Sequence, residues 1–484
     1  MPTARQLATL FLLLTSPLYA APKPHTVSPT IPAVLLSDIH FDPYADPAKV
    51  PNLIAAPASD WPRILAAPNS PTRAKDSADL AAACPTRAAD TDDRLWQSTL
   101  SALRTHSTGA RFATVTGDLL AHSFDCKYKK LAPKASPQDY VAFTAKAVQY
   151  IVSGLRAAMP DVPIYFALGN NDSGCTDYHL DATADPFLTA VAPILAGAAP
   201  AADRDSIAAG LAASGHYSAP LAGVPDTRVI ALDDVYFSKV YGNCAGQSDP
   251  RPAAAQLDWL NAQLSAARAA HQRVWFLGHI PPGVNLYASA KRMLLSCSAN
   301  SAQPFLSSDS LATALATNSD IIPLALFGHT HSDEIRLLSP AELAPEATAH
   351  AQTSGVPIKI VPSITPINGN LPAFIVAKIG PSDATLVDYT LIEASNRTGV
   401  DTTWDADYTY SARYHKPAFD SASVASLVHE FVADATLSQA ASQAYVGSYT
   451  AGMPTPIIQL AWHPYACALS HITSKSFADC ACGP

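Results

Sequence analysis

Five short apolar runs in this chain each stop at a glycine or a polar turn that carries Asp, Asn or His. The plainest is Ile321-Ile322-Pro323-Leu324-Ala325-Leu326-Phe327, followed by Gly328-His329-Thr330-His331. An apolar run of strand length halted by glycine reads as a buried strand entering a tight turn. The same design recurs where Ala33 to Ser37 ends at Asp38-Ile39-His40, and where Phe112 to Val115 ends at Thr116-Gly117-Asp118. It recurs again where Ile164 to Leu168 meets Gly169-Asn170-Asn171-Asp172, and where Val274 to Leu277 meets Gly278-His279. In an α/β sheet, residues just past the carboxyl ends of strands converge on one crevice. Asp38, His40, Asp118, Asn170, His279, His329 and His331 are therefore expected to meet there. A set of oxygen and nitrogen donors without thiolate suits zinc, manganese or iron. Seven side chains exceed the needs of one ion, and the two carboxylate oxygens of Asp118 are placed to bridge a pair.

Size and charge narrow the function classes. The 484 residues suffice for one large core, or a large core with an appended subdomain. Charged residues make up 15%, and the net charge is −9 without long like-charge blocks. A polyanion-binding surface, and with it a nucleic-acid partner, is not expected. Any phosphate recognition must come from a local site.

Residues 1–21 read as a secretory signal, with Arg5, an apolar stretch from Leu7 to Leu14 and cleavage near Ala20 or Ala21. That stretch is too short to span a bilayer, and prolines interrupt the apolar segment Leu188 to Ala202. The expectation is an exported protein without a transmembrane anchor. Eight cysteines in an oxidising compartment favour disulfides over a thiolate metal site, with pairing left open. The oligomeric state is also left open.

Helical spacing predicts helices over Asp93 to His106, Pro137 to Ala158, Ala253 to Ala270 and Ser310 to Ala316. Residues Asp42 to Arg94, rich in Pro, Ala and Asp, read as a long surface excursion pinned near Cys84. Arg228 to Leu232 reads as a further strand. Ile358 to Val361, Ala373 to Ile379 and Thr385 to Thr390 read as antiparallel strands, and aromatic-rich loops and helices follow from Ala394. The fold class is α/β, with a main domain over 22–393 and a small helical, disulfide-containing C-terminal subdomain over 394–484.

The set Asp38-x-His40, Gly117-Asp118, Gly169-Asn170, Gly278-His279 and Gly328-His329-x-His331 resembles the signature of calcineurin-like metallophosphoesterases. Thr116-Gly117-Asp118-Leu119-Leu120-Ala121-His122, His279-Ile280-Pro281-Pro282-Gly283 and Gly328 to Glu334 are similar to the acid sphingomyelinase-like phosphodiesterases. Pro362-Ser363-Ile364-Thr365-Pro366 with Gly369-Asn370 resembles a further segment of that family. The resemblance implies a β-sandwich flanked by helices and a dinuclear site acting on a small phosphorylated substrate. It implies that Asp38, His40 and His331 hold the first divalent ion and that Asn170, His279 and His329 hold the second. Asp118 would bridge them, and a hydroxide between the ions would be the nucleophile. Zinc is the first expectation, with manganese or iron as alternatives.

The sequence departs from the family at Asn170-Asn171-Asp172, where Asn-His-Glu or Asn-His-Asp is common. Asn171 can hydrogen-bond a phosphate oxygen but cannot protonate a leaving group. His122 matches a second histidine that the family places beside the leaving group, so it is the expected acid. Asp172 and His179 are weaker candidates for proton transfer or support. An Asn-Asn-Asp also resembles the endopolyphosphatases, so endopolyphosphatase or phosphomonoesterase activity is the alternative, and Asn171 leaves open a metal- or phosphate-binding protein with impaired catalysis. Ala121 stands where purple acid phosphatases place a tyrosine ligand, so no tyrosinate-iron chromophore is expected. With about a dozen residues between leader and first strand, the saposin-like lipid-presenting domain of the family's sphingomyelinase member is not expected here. Soluble substrates such as nucleotides or phosphocholine esters are therefore expected over membrane sphingomyelin. Asn396-Arg397-Thr398 matches the glycosylation acceptor pattern of eukaryotic secreted proteins.

Overall fold

The computed structural model describes residues 29–346, 355–451 and 456–483, so the leader reading for 1–21 lies outside the described residues. Twelve strands organise them. In chain order they are β1 Ile31–Leu36, β2 Ala113–Thr116, β3 Ile164–Ala167, β4 Tyr217–Pro220, β5 Thr227–Ala231 and β6 Arg273–Leu277. Then come β7 Leu324–Phe327, β8 Glu334–Leu338, β9 Val356–Ile360, β10 Ala373–Ile379, β11 Leu386–Ala394 and β12 Trp404–Thr409. They form two six-stranded mixed sheets, ordered β12-β11-β10-β1-β2-β3 and β4-β5-β6-β7-β9-β8. Helices flank both, giving the expected α/β sandwich.

The parallel strands are buried on both faces, which is why they read as unbroken apolar runs rather than as alternating ones. β1, β2 and β3 run parallel in the first sheet, as do β5, β6, β7 and β9 in the second. Their fully buried side chains belong to one continuous core shared by the two sheets. Trp275 of β6 joins the layers: its ring meets Phe112 edge-on at 5.3 Å, and its Nε1–H donates to the Ala384 carbonyl at 2.8 Å. The carboxyl ends of β1 and β2 are laced together, with Asp38 N donating to Gly117 O at 3.0 Å and His40 N to Asp118 O at 2.9 Å.

The long helices lie where periodicity put them, over Asp93–His106 and Pro137–Ala158. The second starts at a capping box in which Ser136 and Asp139 satisfy each other's backbone N–H groups. Elsewhere the local pattern misled. The Asp42 to Arg94 excursion holds the helices Val50–Ala55, Trp61–Ala66 and Arg73–Ala83, and Trp61 is fully buried. Two of these have six residues, too few for an amphipathic stripe to declare itself. β4 and β8 were not anticipated, and β9 pairs parallel to β7 as well as antiparallel to β8. The aromatic-rich segment after Ala394 contains β12, which extends the first sheet by pairing with β11.

All eight cysteines are paired, as Cys84–Cys126, Cys175–Cys244, Cys297–Cys482 and Cys467–Cys480. Beyond β12 the described residues are mainly helical, and helix Ser421–Ala433 packs on β8 and β9. A buried polar knot lies at that junction. Lys359 Nζ donates to Asp333 and to Glu334 O, while Tyr408 OH donates to Asp333 Oδ2 at 2.5 Å. Arg336 pairs with Glu334 at 2.9 Å and donates to Pro282 O at 2.9 Å. Lys359→Met should leave Asp333 buried without its partner charge and cost about 3–5 kcal/mol. The shift of the denaturant midpoint measures this, and adding Asp333→Asn should recover part of the loss.

Candidate metal centre

Three of the five strand ends, those of β1, β2 and β7, turn their polar residues inward through an unusual backbone. Asp38, His40, Asp118, His329 and His331 have φ of 47°, 45°, 54°, 70° and 62°, the left-handed region that side-chain-bearing residues rarely occupy. Such a conformation costs about 1–3 kcal/mol per residue and persists only where the surroundings impose it. Gly117, at φ 90°, lets the turns close: a Cβ there would lie 2.7 Å from Gly169 N and 2.8 Å from His279 Nδ1.

Hydrogen bonds fix which ring nitrogen faces the crevice. His40 Nδ1 lies 2.9 Å from Leu120 O and His279 Nδ1 lies 2.7 Å from Thr116 O. A carbonyl only accepts, so both Nδ1 atoms carry hydrogen and both Nε2 atoms present lone pairs. His40 Nε2 faces Asp118 Oδ2 at 3.3 Å and His331 Nε2 at 3.2 Å. His279 Nε2 faces Asp118 Oδ2 at 3.2 Å and Asn170 Oδ1 at 3.1 Å. Asn170 Nδ2 donates to Asp177 Oδ1 at 2.6 Å, which turns its Oδ1 inward, 2.8 Å from His329 Nδ1. His331 Nε2 is 3.2 Å from Asp38 Oδ1, and its buried Nδ1 has no partner among the described residues. Asp38 is steadied by Ser37 Oγ at 2.5 Å and by His329 N at 3.1 Å.

Acceptors therefore face acceptors in a nearly dry pocket, an arrangement that only added positive charge resolves. Burial opposes charging of His279, yet the Asp118 carboxylate lifts it to about 10. Burial, and then the charge of His279, push His329 down to about 3. The donors fall into two groups whose ligand atoms lie within 4.8 Å of one another: Asp38, His40, Asp118 and His331, and Asp118, His279 and His329. Asp118 belongs to both, and Asn170 Oδ1 completes the second. The residues present fit a pair of divalent cations.

The other anticipated residues take distinct places. Asn171 does not reach freely into the cleft: its N and Nδ2 donate to Asp118 Oδ1 and Oδ2 at 2.8 and 2.9 Å. Asp172 braces two loops, accepting from Leu119 N, Leu120 N and Gly169 N. His179 bonds the Asp177 carbonyl at 2.6 Å and does not line the cleft. His122 stacks on His40 at 4.1 Å, and its Nδ1 meets Asp90 Oδ1 at 3.0 Å. Burial and the neighbouring His40 pull His122 below its ordinary value, and Asp90 opposes them. A cleft of about 710 Å³ opens over Asp118, Asn170, Asn171, His329, His331 and His122.

Residues 31–333 match the calcineurin-like phosphoesterase family. The chain belongs to that family. The resemblance read from the motifs is thus established, and this phosphoesterase family uses a dinuclear metal centre, for which the chain supplies candidate Asp and His donors. Among curated relatives, a sphingomyelinase phosphodiesterase C of Dictyostelium discoideum is 26% identical, over 51% of this chain and 49% of that protein. The human cyclic GMP-AMP phosphodiesterase SMPDL3A is 23% identical, over 67% and 68% of the two chains. An endopolyphosphatase of Schizosaccharomyces pombe is 28% identical, over 40% and 32%. The chain spans about half the length of the first of these relatives. A dimetal phosphatase from Danio rerio superposes with a TM-score of 0.40 at 13% identity, covering 78% of this chain and 100% of that one.

Asp90, Asp177 and Tyr178 were not singled out from sequence. Asp90 lies in the excursion before the first long helix, and Asp177 and Tyr178 lie in the loop after Asn170. Asp90 acts through His122 and Tyr178 through His329, each from another segment, and Asp177 acts through Asn170 in a loop without periodic pattern, so nothing in the local sequence marks them. Asp177→Ala should free the Asn170 amide to turn over, weakening metal affinity by about 10–100-fold. Competition with a chromophoric chelator measures that loss.

Proposed function

We propose that this phosphoesterase is an exported, two-metal phosphodiesterase hydrolysing phosphoester or phosphoanhydride bonds of small soluble substrates, nucleotides and phosphocholine esters among them. The observation that carries the reading is Asp118, shared by two donor groups on the floor of one cleft. In this reading Asp38, His40 and His331 hold one ion, Asn170, His279 and His329 the other, and Asp118 bridges. Zinc is preferred, then manganese or iron, on the donor chemistry. When bound, such ions supply water acidified to a pKa of about 7 and neutralise charge on the phosphoryl oxygens.

The chain's own residues do the rest. His122, held at Nδ1 by Asp90, would pass a proton from Nε2 to the leaving oxygen in its imidazolium form and is left as the neutral Nδ1–H tautomer afterwards. Asn171 holds both oxygens of Asp118 in place. Four disulfides suit an oxidising compartment. No helix among the described residues is long and apolar enough to cross a membrane. Endopolyphosphatase activity is the second reading, supported by the Schizosaccharomyces relative. Binding without turnover is a third, motivated by the missing histidine at Asn171.

Turnover of an aryl phosphodiester by metal-stripped protein refilled with zinc or manganese separates these readings. Hydrolysis supports the enzyme, and its absence with either metal favours the binding role. His279→Ala should lower bound metal in elemental analysis. His122→Ala should leave metal content intact and slow turnover by about 10²- to 10⁴-fold. The loss should be largest for poor leaving groups; unchanged rates on such substrates would refute the acid assignment.

A further inference from the structure

The mouth of the cleft carries a cation that the chemistry above does not use. Arg87 lines the cleft and, among the described residues, is the only Lys or Arg that does so. It is exposed, and no carboxylate among the described residues pairs with its guanidinium; Nη1 donates to Asn368 Oδ1 at 3.1 Å. The carboxylates of the lining, Asp118 and Asp177, are committed to Asn171 and Asn170.

The segment that carries the arginine is also held in place. Cys84 fastens the start of its segment to Cys126, and Ser123 Oγ donates to Pro85 O at 3.4 Å. The end of the segment is tied at Asp90, which accepts from His122 N at 3.0 Å and from Thr365 Oγ1 at 3.0 Å. Asn368 follows the stretch whose Ile364 and Thr365 N–H groups donate to Ser37 O and Asp38 O. Both partners of the Arg87–Asn368 contact are therefore anchored to the frame that carries the donor groups. Tyr287 also lines the cleft with a half-exposed ring, within electrostatic reach of Arg87.

We propose that Arg87 is a specificity-determining residue that receives a second anionic group of the substrate, beyond the phosphoryl group on the metal centre. A guanidinium with no carboxylate partner and with free donors, carried on a segment pinned at both ends, suits phosphate oxygens. A trimethylammonium group at the same place would meet like charge with no nearby carboxylate free to offset it. Compounds with two or more phosphoryl groups are accordingly preferred to phosphocholine esters. This inference rests on the phosphoryl-binding reading of the site above.

The test is a binding titration on the metal-loaded protein, with metal content checked after each run. The probes are AMP, the methylene-bridged analogue of ADP, and phosphocholine. Arg87→Ala should weaken the ADP analogue by about tenfold or more, the loss of a charge-assisted bond. AMP should change by less than about twofold, because an exposed charge acts weakly at a distance. Arg87→Lys should keep part of the discrimination, and Arg87→Glu should shift preference toward phosphocholine. Equal losses for AMP and the ADP analogue, or no loss for either, would overturn the proposal. Turnover is read in parallel as the ratio of kcat/KM for ADP to that for bis(p-nitrophenyl) phosphate, expected to fall in Arg87→Ala. Arg87-dependent binding without any turnover would sink the catalytic reading alone, and turnover with an unchanged ratio would sink this one alone.

Discussion

The structure is governed by a crowd of acceptors brought together where there is almost no water. Two carboxylates, an amide oxygen and imidazole lone pairs converge at the ends of five strands, and several are fully buried. Left alone they repel or capture protons, which is the direction in which Asp118 drives His279. A pair of divalent ions answers the same demand with better geometry. Affinity for cations is in this sense built into the fold, before any ion is considered.

Keeping such a set in place requires rigidity, and the molecule supplies it in layers. Left-handed turns aim the donors, and the backbone bonds between strand ends keep those turns from relaxing. Around them lies a ring of partners that never touch the centre themselves. Leu120 O and Thr116 O set the ring tautomers, Asp177 sets the orientation of Asn170, and Asn171 pins Asp118. Asn171, at a position where the family commonly has histidine, spends its N–H groups on holding the Asp118 carboxylate. The ionisable histidine that lines the cleft nearby is His122, which Asp90 holds at Nδ1.

The mouth of the cleft obeys a different logic from its floor. Its walls come from segments that lie far apart in the chain and belong to neither sheet, among them the Cys84-tethered stretch and the loop after β9. Parts of this kind change readily without disturbing the floor, which is how one fold family serves several phosphorylated substrates.

The sequence by itself determined the floor. Each of the five strands that end at the site announces itself as an apolar run, each ends in a glycine or polar turn, and the turn residue is adjacent to that signal. Asp38, His40, Asp118, Asn170, His279, His329 and His331 were legible because chemistry and local pattern coincide at those positions. Only the tertiary structure decided their partners. Asp90 reaches His122 across 32 residues, Arg87 reaches Asn368 across 281, and Asn171, in the cleft lining, is tied to Asp118 across 53. β8, β12 and the short helices between Asp42 and Arg94 were hidden for a related reason. They are too short or too irregular for a periodic pattern, and they hold their shape through packing, disulfides and edge pairing that a local window does not contain.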